Sequence, residues 1–170
     1  MIYATLYVLF VVAANYTAMW FLPLPVFGAV SVGTLLFGAT FTLRDYMHAS
    51  GRYVVYGAIA VAVALSTVLS VWFDVEWRIV VASAIAIIIS EAADTEIYQA
   101  LRSRSWWMRV SLSNAVSVPL DTLLFNGLAF WGVLSPSFWL SVVIGETIVK
   151  YLVGLAVGEA QWQTRRNLSK

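Results

Sequence analysis

The chain has 170 residues, of which 61% are hydrophobic and only 11% are charged, and its mean hydropathy is +0.84. A soluble domain typically carries about 25% charged residues, so this composition excludes an ordinary water-exposed surface and indicates a protein surrounded by lipid. The absence of cysteine excludes disulfides and Cys-based metal sites, and the formal net charge of +1 argues against a nucleic acid partner.

Six apolar stretches follow one another along the chain, and a helix of roughly 20 apolar residues is enough to cross a bilayer. They lie at about 1–22, 26–43, 53–73, 77–101, 107–131 and 136–157. Pro23 and Pro25 end the first stretch, which lacks the basic start and the clear cleavage site of a signal peptide. Because the intervening loops are short, we predict an all-α membrane protein with a single six-helix transmembrane domain over residues 1–170.

Basic residues alternate between the loops as six spans require. One side of the predicted bundle carries most of them, namely Arg44, Arg52, Arg102, Arg104, Arg109, Arg165, Arg166 and Lys170. The opposite side carries only Arg78, beside Asp74 and Glu76. Because basic loops stay in the cytoplasm, we expect a multi-pass protein of the inner (plasma) membrane with both termini cytoplasmic.

Three acidic residues, Glu91, Asp94 and Glu96, fall within the fourth predicted span, and Glu96 lies nearer its cytoplasmic end. A charge at mid-membrane costs on the order of 2.5–3.5 kcal/mol. Glu91 and Asp94 are three residues apart, so they share a helix face, and that helix supplies no basic partner. Adjacent acids raise each other's pKa, so the pair needs a cation, a proton or a donor-rich ligand. We interpret Glu91 and Asp94 as part of a solute-binding site.

The neighbouring spans add further polar candidates. Asn114 and Asp121 are seven residues apart on one stripe of the fifth span, although Asn114 alone would also serve as an interhelical hydrogen bond. Glu146 and Lys150 are four residues apart in the sixth span, which allows either a neutralised ion pair or a place in the site. Asn15 adds a polar group in the first span.

Three polar residues near the predicted cytoplasmic boundary are interpreted differently. Arg44 and Asp45 favour a clamp at the membrane interface over a role in the site. His48 falls in a loop, where we expect it to be exposed to solvent without a function. No metal centre is predicted. The candidates inside the spans suit a flat, nitrogen-rich solute, because carboxylates accept and Asn both donates and accepts, but they equally suit a small cation or a proton relay.

The order of these residues resembles the queuosine precursor transporter family, also called the vitamin-uptake-type (VUT) transporters. The resemblance covers nearly the whole chain and is carried by Asn15-Tyr16, Thr42–Asp45, Ser90–Thr95, Leu101–Trp107, Ser113-Asn114, Asp121–Phe125 and Gly145–Lys150. It implies a six-helix carrier that takes up a 7-deazaguanine base, such as 7-cyano-7-deazaguanine, for queuosine synthesis in tRNA.

The resemblance also implies where the substrate binds. The implied site residues are Glu91, Asp94, Asn114, Asp121 and Lys150, with Asn15 and Glu146 as further candidates. Some relatives carry an acid in the second span near the position of Thr40, which leaves substrate choice and proton coupling open. We expect a purine-like solute and the lipid bilayer as partners and no cofactor, and the sequence leaves a homodimer open.

Two other functional classes compete with a carrier. One is the substrate-binding subunit of an energy-coupled vitamin importer, for which Ala14 and Ala18 offer a helix-docking face. The other is a membrane enzyme, but the chain has no H-E-x-x-H, G-x-S-x-G or phosphate-loop motif, and it has one His and no Cys. We therefore predict a transporter and not an enzyme.

Overall fold

The computed structural model describes residues 2–24 and 28–168, with side chains described for residues 2–23 and 30–156. These residues form six α-helices: α1 Ile2–Tyr16, α2 Val32–Met47, α3 Arg52–Trp72, α4 Trp77–Ala100, α5 Trp106–Phe130 and α6 Pro136–Leu168. An antiparallel hairpin of β1 (Phe21–Leu24) and β2 (Gly28–Ser31) joins α1 to α2, and a 3₁₀ turn (His48–Ser50) joins α2 to α3.

Three of the predicted stretches coincide with helices, since α3, α4 and α5 begin and end within one residue of the expected positions. The sixth helix begins at Pro136 as expected and continues to Leu168, beyond the predicted end at 157. The predicted boundary at Pro25 and Val26 lies outside the described residues, as do Lys170 and the side chains of Arg165 and Arg166.

The region between the first two helices differs from the prediction of an entirely helical chain. α1 ends at Tyr16 rather than Leu22, and α2 runs from Val32 to Met47 rather than from Val26 to Leu43. Pro23 lies in β1 opposite Ala29, because proline cannot donate the hydrogen bond that a helix interior needs. Pairing the two strands provides backbone partners that a broken helix would lack.

Close approach of α2 and α6 sets the position of the polar residues on α6. A Cβ atom added to Gly38 would lie 3.0 Å from Cβ of Val153, so only a glycine allows this spacing without a shift of the neighbour. Thr42 Oγ1 on α2 donates a hydrogen bond of 2.9 Å to the backbone oxygen of Gly154. Small residues at a helix interface are how membrane helices pack closely, and α2 and α6 meet in this way.

The bundle buries many polar side chains beside an apolar core and exposes large apolar side chains. Two helical segments are long and apolar enough to cross a membrane by length and composition alone, namely α3 and Pro136–Ala156 of α6, and α1 is apolar but has only 15 residues. α4 and α5 have 24 and 25 residues but carry polar side chains, many of which are buried. Large apolar side chains such as Val68, Trp72 and Trp77 are more than 60% exposed. This distribution is typical of a protein in lipid rather than in water.

Candidate functional site

A first polar cluster is centred on Arg44, near the C-terminal end of α2. Its side chain is 0% exposed, and Nη1 donates a hydrogen bond of 2.9 Å to Oε2 of Glu91. Nη2 lies 2.8 Å from Oδ1 of Asp94 and donates to Oδ1 of Asn114, also at 2.8 Å. The basic partner that Glu91 and Asp94 lack on their own helix therefore comes from α2, which corrects the interpretation of Arg44 as an interface clamp.

Further hydrogen bonds tie the Arg44 cluster across three helices. Ser117 Oγ on α5 donates to Oδ1 of Asp94 on α4 at 2.9 Å. Asn114 Nδ2 donates to Oδ2 of Asp45 at 3.4 Å, and Asp45 Oδ1 lies 3.7 Å from Nη2 of Arg44. A buried carboxylate is stabilised only when it is paired and hydrogen-bonded, so these contacts are what allow the acids to remain inside the bundle.

His48 belongs to this region, contrary to the expectation of a solvent-exposed loop residue. Its side chain is buried, and its ring stacks on Tyr98 with the centroids 4.0 Å apart. Nε2 lies 3.7 Å from Oδ2 of Asp94. Burial lowers the pKa of His48 below its ordinary value, so the neutral imidazole is favoured at neutral pH.

A second polar cluster is centred on Lys150, on α6. Its Nζ donates to Oδ2 of Asp121 at 2.8 Å and to Oγ1 of Thr122 at 3.0 Å, and both partners lie on α5. Of the two alternatives for Glu146 and Lys150, the ion pair is not formed, because Glu146 instead accepts a hydrogen bond of 2.8 Å from Nδ2 of Asn126. Glu146 and Lys150 therefore bond to residues of the facing helix α5 and not to each other.

The Lys150 cluster forms one wall of a cleft between helices. The cleft has an empty volume of about 360 Å³ and is lined by Asn15, Ser83, Asp121, Glu146, Lys150 and the rings of Phe37 and Phe125, among others. Asn15 is fixed by Ser66, to which it donates, and by Ser83, from which it accepts a hydrogen bond of 2.6 Å. Small-molecule sites are mostly apolar clefts with a few fixed polar groups, which is the character of this one.

The predicted site residues therefore divide between two places. Glu91, Asp94 and Asn114 lie in the Arg44 cluster, whereas Asn15, Asp121, Glu146 and Lys150 line the cleft. Asn114 and Asp121 do share a stripe of α5, but seven residues of helix separate them by roughly 10 Å along the axis. One hydrogen bond of 3.3 Å, from Ser90 Oγ to Oδ1 of Asp121, connects α4 to the Lys150 cluster.

Comparison with known proteins places the chain in a family. A family model with the description "Putative vitamin uptake transporter" matches residues 31–159. The chain belongs to this family. The match includes both polar clusters and leaves out only Asn15 among the predicted site residues. The resemblance to vitamin-uptake-type transporters, predicted from the order of the polar motifs, is thereby confirmed.

Two curated relatives of this chain carry more specific names. The chain is 27% identical to the "Probable queuosine precursor transporter" of Bacillus subtilis (strain 168) and 24% identical to the "Queuosine precursor transporter" of Escherichia coli (strain K12). Each alignment covers 75% of this chain and 66% of the relative, so the chain spans about two thirds of the length of either. No solved structure matches the chain.

Sequence reasoning missed several residues that the fold brings into these clusters. They are Arg44, His48, Ser90, Thr122 and Asn126. Arg44 was detectable, because two unpaired acids require a cation. Arg44 is the basic residue that directly follows the second predicted span. The roles of Thr122 and Asn126 had no such signal, since an uncharged residue inside a span usually has a partner on its own helix or a neighbour.

A second cleft lies on the other side of Lys150. It has an empty volume of about 710 Å³ and is lined by Phe41, Asp45, Trp106, Trp107, Asn114, Lys150 and Tyr151, among others. Lys150 lines both clefts, whereas its partner Asp121 lines only the first. Arg44 lines neither of the two.

Proposed function

We propose that the chain is a membrane carrier for a queuosine precursor, a 7-deazaguanine base such as 7-cyano-7-deazaguanine. Family membership makes it a transporter, and the names of the two relatives supply the class of solute. The observation that carries the proposal is an unpaired hydrogen-bond acceptor on Glu146, a residue that lines the first cleft. Glu146 is 1% exposed, and its Oε1 has no hydrogen-bond partner among the described residues.

The cleft offers the groups that a guanine-like edge requires. Such a base presents adjacent N–H donors, and the free Oε1 of Glu146 and the carboxylate of Asp121 are acceptors. The base also presents a carbonyl oxygen, for which Lys150 and Asn15 hold donors. Phe37 and Phe125 add apolar ring surfaces at which a flat heterocycle can stack.

Exchange of partners at Lys150 provides the step between the two clefts. Its ammonium is a compact charge on a flexible stem, so it can leave Asp121 for the carbonyl of an entering base without losing all its hydrogen bonds. Asp121 then becomes free to accept from the base. We propose that this exchange moves the solute from the first cleft towards the second.

The proposal assigns Glu91, Asp94 and Asn114 a different part from the cleft residues. Arg44 already engages all three, so they position α2, α4 and α5 around the clefts rather than contacting the solute in this conformation. This revises their assignment to the substrate site. A base that reached them would have to displace charge-assisted hydrogen bonds of the guanidinium, which are stronger than neutral ones.

The orientation follows from the loop charges. We propose six membrane spans with both termini in the cytoplasm of a cell whose inner membrane holds the carrier. The basic loop at Arg102 and Arg104 then faces the cytoplasm, and the second cleft, lined by the adjacent Trp106 and Trp107, opens towards the same side. The solute would enter by the first cleft and leave by the second.

Uptake of labelled 7-cyano-7-deazaguanine by bacteria without their own carrier tests the proposal. Cells that express this chain are expected to accumulate the label, and cells that express Asp121→Ala are not. Equal uptake by the two strains would overturn the site, and no uptake by either would overturn the function. Collapse of the pH gradient separately tests proton coupling, which predicts a lower initial rate.

The competing assignment, a subunit of an energy-coupled importer, is separated by reconstitution. The purified chain in lipid vesicles is expected to exchange labelled base across the membrane without another protein. Binding without exchange would favour the importer subunit.

A further inference from the structure

Three buried side chains converge where α2 ends and the 3₁₀ turn begins: Asp45, His48 and Asp94. One potential ligand atom from each lies within 4.8 Å of the other two, and their side chains are at most 1% exposed. Each also has a buried atom without a hydrogen-bond partner among the described residues, namely Asp45 Oδ1, His48 Nε2 and Asp94 Oδ2. Nε2 of His48 lies 3.7 Å from Oδ2 of Asp94, and Oδ1 of Asp45 lies 3.7 Å from Nη2 of Arg44, so all three atoms have only long electrostatic contacts. Buried polar atoms are normally hydrogen-bonded, so the convergence of these three points to a missing ligand.

The charges around this point call for a cation. Asp45, Glu91 and Asp94 place three carboxylates against the single guanidinium of Arg44. The other cation facing the group is Arg109, which is only half-buried and lies over the ring of Tyr98 at 5.0 Å. A buried excess of negative charge is unfavourable unless a cation or protons offset it.

We propose that Asp45, His48 and Asp94 bind a divalent transition-metal ion. An imidazole nitrogen beside two carboxylate oxygens suits zinc, manganese, iron, cobalt or nickel, whereas magnesium and calcium prefer oxygen alone. The proposal does not depend on which solute the protein carries.

A polar contact from another residue orients each proposed ligand side chain. Metal-binding histidines and carboxylates usually give their other atom to a hydrogen-bond partner, which orients the ligand. The partners here are Arg44 and Ser117 for Oδ1 of Asp94, Asn114 for Oδ2 of Asp45, and the Gln99 amide, 3.5 Å from Nδ1 of His48. Rotation of the Gln99 amide would present its oxygen to Nδ1–H and leave Nε2 free for the metal.

The distance between two of the proposed ligand atoms and the cavity beside them are both compatible with a bound metal ion. His48 Nε2 and Asp94 Oδ2 are 3.7 Å apart. Metal–ligand distances of about 2.0–2.2 Å give a spacing of about 3.4 Å in a tetrahedral site, so only a small contraction is needed. A cavity of about 650 Å³, lined by Asp45, His48, Tyr98, Trp106 and Arg109 among others, gives an entry path and room for water as a further ligand.

The single histidine of the chain makes a direct test possible. The full-length protein is produced with ¹⁵N-labelled histidine and without a histidine tag, purified in detergent and stripped with a chelator. Its ring-nitrogen NMR spectrum then reports on His48 alone. One equivalent of Zn²⁺ is expected to shift the Nε2 signal and to leave Nδ1 protonated. An unchanged spectrum, or signals that move with pH but not with zinc, would overturn the proposal.

Variants identify the carboxylate ligand. In competition with a coloured chelator, Asp45→Asn is expected to weaken zinc binding by at least about 10-fold, since loss of an outer partner alone costs about that much. Asp74→Asn is the matched control, because Asp74 lies in an exposed turn, and it should leave binding unchanged. Equal affinities of the two variants would overturn the site. If Asp45→Asn does not fold, Gln99→Leu serves instead, with an expected loss of about 10- to 100-fold.

Discussion

The Arg44 cluster and the Lys150 cluster both stabilise buried carboxylates with a basic side chain, but the two side chains do so in different ways. Both bury a basic side chain among carboxylates, and both basic residues are at most 3% exposed. Arg44 uses a rigid fork that engages Glu91, Asp94 and Asn114 and lines neither cleft. Lys150 uses a mobile point charge and lines both. We infer that the first cluster holds helices together and the second exchanges partners with a solute.

Removal of Arg44 is expected to have the largest effect on stability. Arg44→Ala leaves Glu91 and Asp94 buried without a counter-charge, which costs about 3–5 kcal/mol. The variant should therefore unfold at a much lower temperature in detergent, as measured by circular dichroism. Arg44→Lys should recover only part of the loss, because an ammonium cannot replace the fork. An unchanged melting temperature for Arg44→Ala would contradict the holding role.

Removal of both members of the Lys150–Asp121 pair separates stability from transport. The double variant Asp121→Asn, Lys150→Met leaves no uncompensated charge, so its free energy of unfolding should lie within about 1–2 kcal/mol of the parent. Uptake of labelled base should nevertheless be abolished. A double variant that transports normally would show that the pair is only structural, like the Arg44 cluster.

Glu146 tests the cleft without disturbing an ion pair. Glu146→Gln keeps the shape and the possibility of a bond to Asn126 but replaces the charged acceptor that faces the cleft. Loss of one hydrogen bond to a charged group costs about 1.5–3 kcal/mol, which corresponds to roughly a 10- to 150-fold weaker affinity. The apparent KM for uptake should rise accordingly, with expression unchanged. Uptake by Glu96→Gln, which alters an exposed acid on α4, should remain normal.

The helices were largely predictable because a long apolar run between polar turns has few other folds in lipid. The hairpin at β1 and β2 was not, since its residues are nearly as apolar as those of a span and the sequence marks the break only by Pro23 and Pro25. A proline ends a helix but does not determine whether a strand, a loop or a new helix comes next, so the first two helices differ from the predicted stretches.

Part of the membership of each cluster was predictable, but the pairing was not. Spacing along one helix placed Glu91 with Asp94 and Asn114 in line with Asp121, because helical periodicity is a local property. The partner of Glu91 lies 47 residues away on α2, and no local rule supplies that contact. The same limit explains why the Glu146–Lys150 pair that the spacing allows is not formed, since the i, i+4 rule describes exposed helices and here the facing helix α5 supplies the partners.

The smallest effect is expected at an ion pair outside both clusters. Arg52 Nη2 lies 3.2 Å from Oε1 of Glu96, and the two side chains are 48% and 54% exposed. Pairs of this kind contribute about 0–1 kcal/mol, so Arg52→Ala should change the melting temperature little and uptake not at all. The contrast with Arg44→Ala, eight residues earlier, isolates burial as the cause, because both changes remove one guanidinium from an acid on α4. Equal destabilisation by the two would mean that the Arg44 cluster is solvated after all.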